Sequence, residues 1–355
     1  MSVGYAGRSG QAGSPARAST IRGADISFTA QLEAAGAVFA DADGPAALER
    51  ILARAGCTHV RLRVWHRPPD GYSDADSALL LARRAHEAGM GILLDPHYSD
   101  FWADPGKQTT PGAWQGQNPR QLADTVRGYT ADLVAAFATQ GTPVEMVQVG
   151  NEVTNGMLWP TGQIYTDEGE RWAEFASLLA AGIDGVREAG DARVMLHIDR
   201  GGNNADCRYF YDRVLEQGIE FDVIGLSFYP FWHGSTTDLE SNLADLATRY
   251  DKDLVVTETS YPWTLADGDD EPNFVSEQGD LPDPFPATPA GQADYLHMLD
   301  EIVAANPAGL GWFVWEPGWL PVLGWEPGAG NPNDNLTLFD WDGQALPGLG
   351  AFGAA

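Results

Sequence analysis

The sequence predicts a single (β/α)8 barrel, and three observations carry that prediction. Eight short apolar runs alternate with stretches of helical periodicity from residue 21 to the end of the chain, a pattern that gives a parallel sheet wrapped by helices. The run 144–149 has the length and β-branched content of a strand covered on both faces, as parallel strands are. Residues able to do chemistry gather where the runs end, and the Gly-rich phosphate fingerprint expected of an open, doubly wound sheet is missing, as is a P-loop.

In chain order, residues 21–27 read as the first strand, with Asp25 near its end. Asp43 is expected to cap a helix with Pro45 in its first turn and Gly56 closing it. Residues 59–65 alternate charged and apolar side chains, which sets Arg61 and Arg63 on one face of a second strand. Arginines facing a barrel interior require carboxylate partners, and one placed beside a catalytic carboxylate holds it ionised. Ser73 is expected to cap the next helix, which stops at Gly89. Residues 91–97 form the third strand and run into a loop, 98–107, that is aromatic and polar at once. Asn118 and Pro119 are an N-cap and N1 pair opening a helix to about Gln140. The fourth strand then delivers Asn151 and Glu152. A helix from about Glu170 to Ala189 feeds the fifth strand, 193–199, and the sixth is 221–229. The seventh ends at Glu258, and the eighth, 310–315, leads into Glu316-Pro-Gly-Trp319.

At 355 residues the chain suits one barrel, read here as a disordered leader over 1–20 followed by a catalytic domain over 21–355. A formal net charge of −29 and a pI near 4.3 repel nucleic acid and anionic membranes, so a neutral substrate is expected, with no nucleic acid or membrane as partner, and the protein is read as a monomer. The leader lacks the apolar core of a secretory signal. Cys57 and Cys207 would sit at opposite ends of the barrel as free thiols. Both points favour a cytoplasmic location, with secretion as the alternative.

One glutamate at a strand end is most simply a solvated loop residue, but Glu152 and Glu258 end two separate apolar strands on facing sides of the predicted barrel mouth. Paired carboxylates are what glycoside hydrolysis uses: one protonates the leaving oxygen while the other attacks the anomeric carbon, about 5 to 5.5 Å away in retaining enzymes. Glu152 is assigned as acid/base, with Asn151 bonding the neighbouring sugar hydroxyl. Glu258 is assigned as nucleophile, kept ionised by Arg63 and its neighbours. Rings of Trp and Tyr stack on sugar faces, while carboxylates, amides and imidazoles bond hydroxyls. The expected sugar contacts therefore include the aromatics Trp102, Tyr229, Trp232 and Trp315, the polar residues His97, Asn151, His197 and Ser227, and the charged residues Asp25, Arg63, Asp100 and Asp199.

At these positions the sequence resembles the clan A glycoside hydrolases, and more closely the arabinogalactan endo-β-1,4-galactanases of glycoside hydrolase family 53. The resemblance runs from Arg22 to Leu349. It is carried by Gly23-Ala-Asp-Ile-Ser27, Val60-Arg-Leu-Arg-Val-Trp65, the loop His97-Tyr-Ser-Asp-Phe-Trp-Ala-Asp-Pro-Gly-Lys-Gln108, Val147-Gln-Val-Gly-Asn-Glu152, Gly225-Leu-Ser-Phe-Tyr-Pro-Phe-Trp232, Glu258-Thr-Ser-Tyr-Pro-Trp263 and Trp315-Glu-Pro-Gly-Trp319. Pro96 departs from the pattern, where an aromatic residue is expected. The resemblance implies a (β/α)8 barrel, net retention and cleavage of β-1,4-linked galactan or galacto-oligosaccharides by Glu152 and Glu258. It also implies a structural calcium ion between the loops after the seventh and eighth strands. Asp269, Glu271 and Asn273 at alternate positions, with Asp334 from the other loop, are the expected ligands; by spacing alone the same stretch reads more simply as a solvated acidic loop. Two other readings use the same residues. A metal-dependent sugar isomerase barrel would take His97, His197, Asp199 and Glu258 as ligands, and a non-catalytic sugar-binding barrel would have no use for the carboxylate pair.

Overall fold

The structure, a computed structural model, describes residues 19–353; the leader expected over 1–20 lies outside them except for its last two residues. Eight parallel strands close into a barrel in sequential order: β1 (Ile21–Asp25), β2 (His59–Val64), β3 (Gly91–Pro96), β4 (Met146–Gln148), β5 (Arg193–Ile198), β6 (Val223–Ser227), β7 (Asp253–Thr259) and β8 (Gly309–Val314). Between β1 and β2 lie α1 (Thr29–Ala34) and α2 (Leu48–Ala55), and each later gap up to β8 holds one helix. These are α3 (Ala75–Glu87), α4 (Pro119–Gln140), α5 (Trp172–Ala189), α6 (Asn204–Glu216), α7 (Thr236–Tyr250) and α8 (Pro289–Ala305). After β8 a 3₁₀ turn, Pro347–Phe352, packs on α8 and α2 in place of an eighth long helix. No described helix is long and apolar enough to cross a membrane.

Local sequence explains most boundaries. Asn118 accepts from the Gln121 amide at 3.0 Å while the Gln121 side chain takes the Asn118 N–H at 3.1 Å, a reciprocal cap that starts α4 with Pro119 at N1. Two expected caps are corrected. Asp43 starts no helix: it lies in the turn of a β-ribbon joining Phe39–Asp41 to Gly44–Ala46, where its N–H bonds Asp41 at 2.9 Å. The helix begins only at Leu48, with Ala47 as its uncapped N-cap, and does end at left-handed Gly56. The cap of α3 is Asp74, which accepts from the Ser77 amide at 2.9 Å. Ser73 is drawn inward instead, its Oγ 3.3 Å from the Arg63 guanidinium.

The barrel interior is layered. Its floor is apolar and gathers Ile21, Leu93, Met146, Met195, Val223, Val255 and Phe313. Gly23 makes room for the last of these, since a Cβ there would lie 2.2 Å from the Phe313 ring. Above the floor the strands turn Asp25, Arg61, Asp95, Gln148, His197 and Glu258 inward, all buried. The outer faces of the strands pack against the helices in a second, larger core. Cys57 and Cys207 are both free and buried.

Two glycines on the contacting helices α4 and α5 give opposite expectations. Gly128 is exposed with open space where a Cβ would go, whereas a Cβ on Gly185 would meet the Arg127 carbonyl at 2.5 Å and the Thr130 Cβ at 2.8 Å. Gly128→Ala should stabilise the protein by about 0.5–1 kcal/mol through helix propensity, and Gly185→Ala should cost about 1–3 kcal/mol by overpacking. Urea unfolding midpoints measure both, and a common sign would contradict this helix contact.

Candidate active site

The carboxyl ends of the strands open into a cleft of about 270 Å³ that contains both Glu152 and Glu258. Each glutamate arrives through a local departure from regular structure. After β4, Gly150 takes φ 83° and Glu152 itself takes φ 45°, a left-handed conformation that a non-glycine residue occupies at a cost of about 1–3 kcal/mol. Tyr98 after β3 (φ 52°) and Glu316 after β8 (φ 44°) share that conformation, so several strand ends hold strained residues. On β7 the pairing register slips between Val256 and Thr259, and on β6 between Leu226 and Ser227, which puts Ser227 opposite Glu258. Such slips re-aim side chains near sites.

Arg61 is the electrostatic centre. Its guanidinium lies 2.7 Å from Asp25, 2.7 Å from Asp95 and 2.8 Å from Glu258. It also donates to Asn151 Oδ1 at 2.8 Å and to Gln148 Oε1 at 3.2 Å. Arg63, expected to hold Glu258 ionised, is turned the other way: it bonds Glu316 at 3.0 Å and is sandwiched among Phe28, Trp65 and Trp102, its Cζ 4.5–4.8 Å from their ring centres. The sequence could not separate the two because both face inward. The structure separates them by height, since Arg61 pairs with Asp25 across the sheet while Arg63 lies one pleat nearer the mouth.

The two glutamates have unlike surroundings. Burial raises the pKa of Glu258, and Arg61 opposes it, leaving it at about 7; Tyr229 also donates to its Oε2 at 3.1 Å. Burial raises Glu152 well above the ordinary carboxylate range, and the nearby charges of Glu258 and Asp199 add to this. Among the described residues no cation touches Glu152, and its one side-chain partner is Ser227, whose hydroxyl lies 2.5 Å from Oε1. A proton shared by the pair therefore resides on Glu152, while Glu258 is the more readily ionised.

Of the expected sugar contacts, His97, Trp102, Asn151, Asp199, Tyr229, Trp232 and Trp315 line the cleft with the two glutamates. Asp25, Arg63, His197 and Ser227 lie beneath its wall, buried and bonded to other side chains. Asp100 faces elsewhere, toward His66 at 3.2 Å and the Gly112 amide at 2.8 Å. Asp104, Phe274, Trp325 and Asn333 also line the cleft without having been singled out. Asp104 lies in the loop already marked as polar and aromatic, whereas Trp325 and Phe274 reach the site from long loops with no strand to mark their direction. Trp325 stacks on Trp102 (centroids 4.6 Å apart, 13° between planes), and Trp102 donates to the Trp325 carbonyl at 3.3 Å.

The metal-ligand reading of His97, His197, Asp199 and Glu258 does not fit. His97 is bonded through Nε2 to Asp95 and through Nδ1 to Trp65 and the Ala103 amide. Both nitrogens of His197 are occupied by Gln148 and Ser227. Among the described residues, the converging group of potential metal-binding acids is elsewhere: Asp267, Asp269 and Asp334, whose ligand atoms lie within 4.8 Å of one another. Asp269 and Asp334 were expected there; Asp267 takes part and Glu271 is outside the group. Asn273 bonds Asp334 through Nδ2 at 3.0 Å, while its buried Oδ1 has no partner.

Known proteins resemble this chain over nearly its full length. The profile of Glycosyl hydrolase family 53 matches residues 21–352. A probable arabinogalactan endo-beta-1,4-galactanase A of Aspergillus terreus is 41% identical over 345 residues, spanning 94% of this chain and 95% of its own. Among solved structures, the GH53 catalytic domain of Ignisphaera aggregans superposes with a TM-score of 0.88 at 35% identity, covering 94% of this chain and 95% of that one. A fungal beta-1,4-galactanase superposes with a TM-score of 0.83 at 35% identity, covering 94% and 99%.

The arginine centre yields a test. Arg61→Met should cost about 3–5 kcal/mol at neutral pH, the usual result of leaving buried charges without their partner. Asp95, whose burial is outweighed by Arg61 and then His97, is held below its ordinary pKa of 3.8, so its contribution is present above that value and is lost as pH falls through its folded pKa. The penalty of Arg61→Met should therefore hold down to about pH 4 and shrink as pH falls below 3.8; a penalty unchanged between about pH 5 and pH 2.5 would argue against the pairing.

Proposed function

The chain belongs to glycosyl hydrolase family 53, and from that premise we propose that it is an endo-β-1,4-galactanase, a retaining glycosidase in which Glu258 is the nucleophile and Glu152 the acid/base. The observation that carries the assignment of roles is the unlike setting of the two glutamates: a guanidinium and a phenol on Glu258, and only a hydroxyl on Glu152. In the first half-reaction the Glu258 carboxylate attacks the anomeric carbon of a galactosyl unit. The bond to the leaving oxygen breaks, and that oxygen takes the proton of Glu152. Loss of the Glu258 charge in the covalent intermediate lowers the pKa of Glu152, which can then accept a proton from the attacking water. Trp315 and Trp325, both partly exposed in the cleft, offer ring surface for the sugar, and Asn151, fixed by Arg61 and by its own bond to the Ala103 carbonyl at 2.8 Å, is positioned for the neighbouring hydroxyl. The substrate is β-1,4-galactan, such as that of pectin side chains, or its oligosaccharides; the acidic surface suits a neutral polymer.

A calcium ion between the loops after β7 and β8 is part of the same reading. The donors are hard oxygens, they converge, Asn273 Oδ1 is buried and unpartnered, and Asp334 is raised by burial to about 6. Asp267, Asp269, Asn273 and Asp334 would hold the ion, which would supply charge neutralisation and loop order rather than chemistry.

Glu152→Gln and Glu258→Gln should each reduce turnover on galactan by roughly 10³-fold or more with the fold intact. On an activated aryl galactoside, azide should rescue Glu152→Ala with a β-galactosyl azide and Glu258→Ala with the α anomer. Swapped anomers would reverse the roles, and full activity in either variant would end the assignment.

Calcium should raise the melting temperature through its preference for the folded state. The gain should grow between pH 4 and pH 6. Without the ion, the raised pKa of Asp334 makes folding lose stability as pH rises from the unfolded value of 3.8 to the folded value of about 6. Identical melting curves in calcium and in excess chelator, with no metal found by elemental analysis, would remove the site.

A further inference from the structure

Ser227 and His197 lie under the wall of the cleft, and neither has a task in the mechanism above. They form a chain with a definite direction. His197 Nε2 is 2.8 Å from Ser227 Oγ, and Ser227 Oγ is 2.5 Å from Glu152 Oε1. At the other end, His197 Nδ1 is 2.9 Å from Gln148 Nε2. The orientation of the Gln148 amide follows from its remaining contacts: its oxygen accepts from Arg61 Nε at 3.2 Å, and its nitrogen donates to Asp95 Oδ1 at 2.8 Å. The side of Gln148 that meets His197 is thus a donor, so Nδ1 must accept and the ring proton sits on Nε2. Gln148 Nε2 gives one hydrogen to Asp95 and turns the other between His197 Nδ1 and Asn151 Oδ1, which share it, while Asn151 Oδ1, 3.1 Å from Nδ1, also accepts from Arg61. With Nε2–H donating to its oxygen, Ser227 directs its own hydrogen at Glu152.

We infer that Ser227 is a positioning residue for the acid step: the chain Arg61–Gln148–His197–Ser227 makes Glu152 Oε1 a permanent acceptor, so the transferable proton is carried by Oε2. The inference rests on the reading of Glu152 as acid/base. Two consequences follow. The side chain of a residue held at φ 45° gains a second anchor, and the carboxylate left after proton transfer keeps a charge-assisted hydrogen bond that the protonated acid uses less well. Ser227 therefore lowers the pKa of Glu152, against burial and against Glu258 from β7, Asp199 from the end of β5 and Asp104 from the loop after β3; Tyr229 also lies close. His197, facing Arg61, Asp95, His97 and His233, is kept neutral by burial and then by Arg61, as the chain requires.

The test is the pH profile of kcat/KM for the full chain on galactan and on an aryl β-1,4-galactobioside with a dinitrophenolate leaving group. In Ser227→Ala the alkaline limb should move up by about one pH unit, and kcat on galactan should fall by about tenfold or more. The glycosylation burst with dinitrophenolate, which departs without a proton, should be little changed. Ser227→Thr, which keeps the hydroxyl, should restore both limb and rate. An alkaline limb that stays in place or moves down, or an equal loss on both substrates, would overturn the inference. Glu152→Gln separates the two levels of argument: if the alkaline limb survives in that variant, the assignment of the acid has failed, and if it vanishes there but is unmoved in Ser227→Ala, only the chain through Ser227 has. Should Ser227→Ala not fold, the ¹⁵N shifts of His197 in the wild-type protein decide, with a neutral ring protonated on Nε2 expected from pH 5 to 9 and a ring protonated on Nδ1, or a titrating one, contradicting it.

Discussion

The interior of this barrel depends on one buried guanidinium. Arg61 bonds three carboxylates and two amides drawn from β1, β3, β4 and β7 and from the turn after β4. A charge taken out of water is tolerated only when it is paired and its hydrogen-bonding capacity is used, so the register of each of these strands is tied to the position of that one side chain. The apolar floor below could be repacked with other hydrophobic residues of similar volume. The arrangement around Arg61 has no such freedom, because its planar fork fixes where each oxygen must sit.

The chemistry is divided by distance from that cation. Glu258 touches it and Glu152 does not. Glu258 is buried and Glu152 partly so, and desolvation alone would push both toward the protonated form. Arg61 favours the ionised form of Glu258 and does not reach Glu152, so identical side chains acquire unlike protonation. It influences Glu152 as well, by fixing Asn151 and, through Gln148 and His197, the hydrogen on Ser227.

The barrel, its strand order and both glutamates were legible in the sequence because each depends on a short-range signal, an apolar run and the residues that end it. The inward placement of Arg61 and Arg63 was also legible, from alternation. Which of them meets Glu258 was not, since that depends on the stagger of strands around the closed sheet. The caps at Asp43 and Ser73 failed for a related reason: a β-ribbon and the pull of Arg63 override local preference for a helix start. Asp25, His197 and Ser227 were correctly placed at strand ends but lie under the cleft wall, because period-two alternation gives the face of a strand and not the depth of a residue. Trp325 and Phe274 arrive on long loops whose paths are set by contacts with Trp102 and Trp232, which no local pattern encodes.

The last described turn also shapes what can be attached to this enzyme. Phe352 stacks on Trp312 (centroids 5.4 Å apart, 15° between planes), its carbonyl accepts from Arg22 Nε at 2.7 Å, and a Cβ on Gly56 would lie 2.4 Å from the same oxygen. Both ends of the barrel are thereby fastened at the amino-terminal rim of the strands, on the face opposite the cleft. A linker that leaves the barrel at Ser19 or Gly353, the first and last described residues, therefore starts from that rear face, away from the cleft.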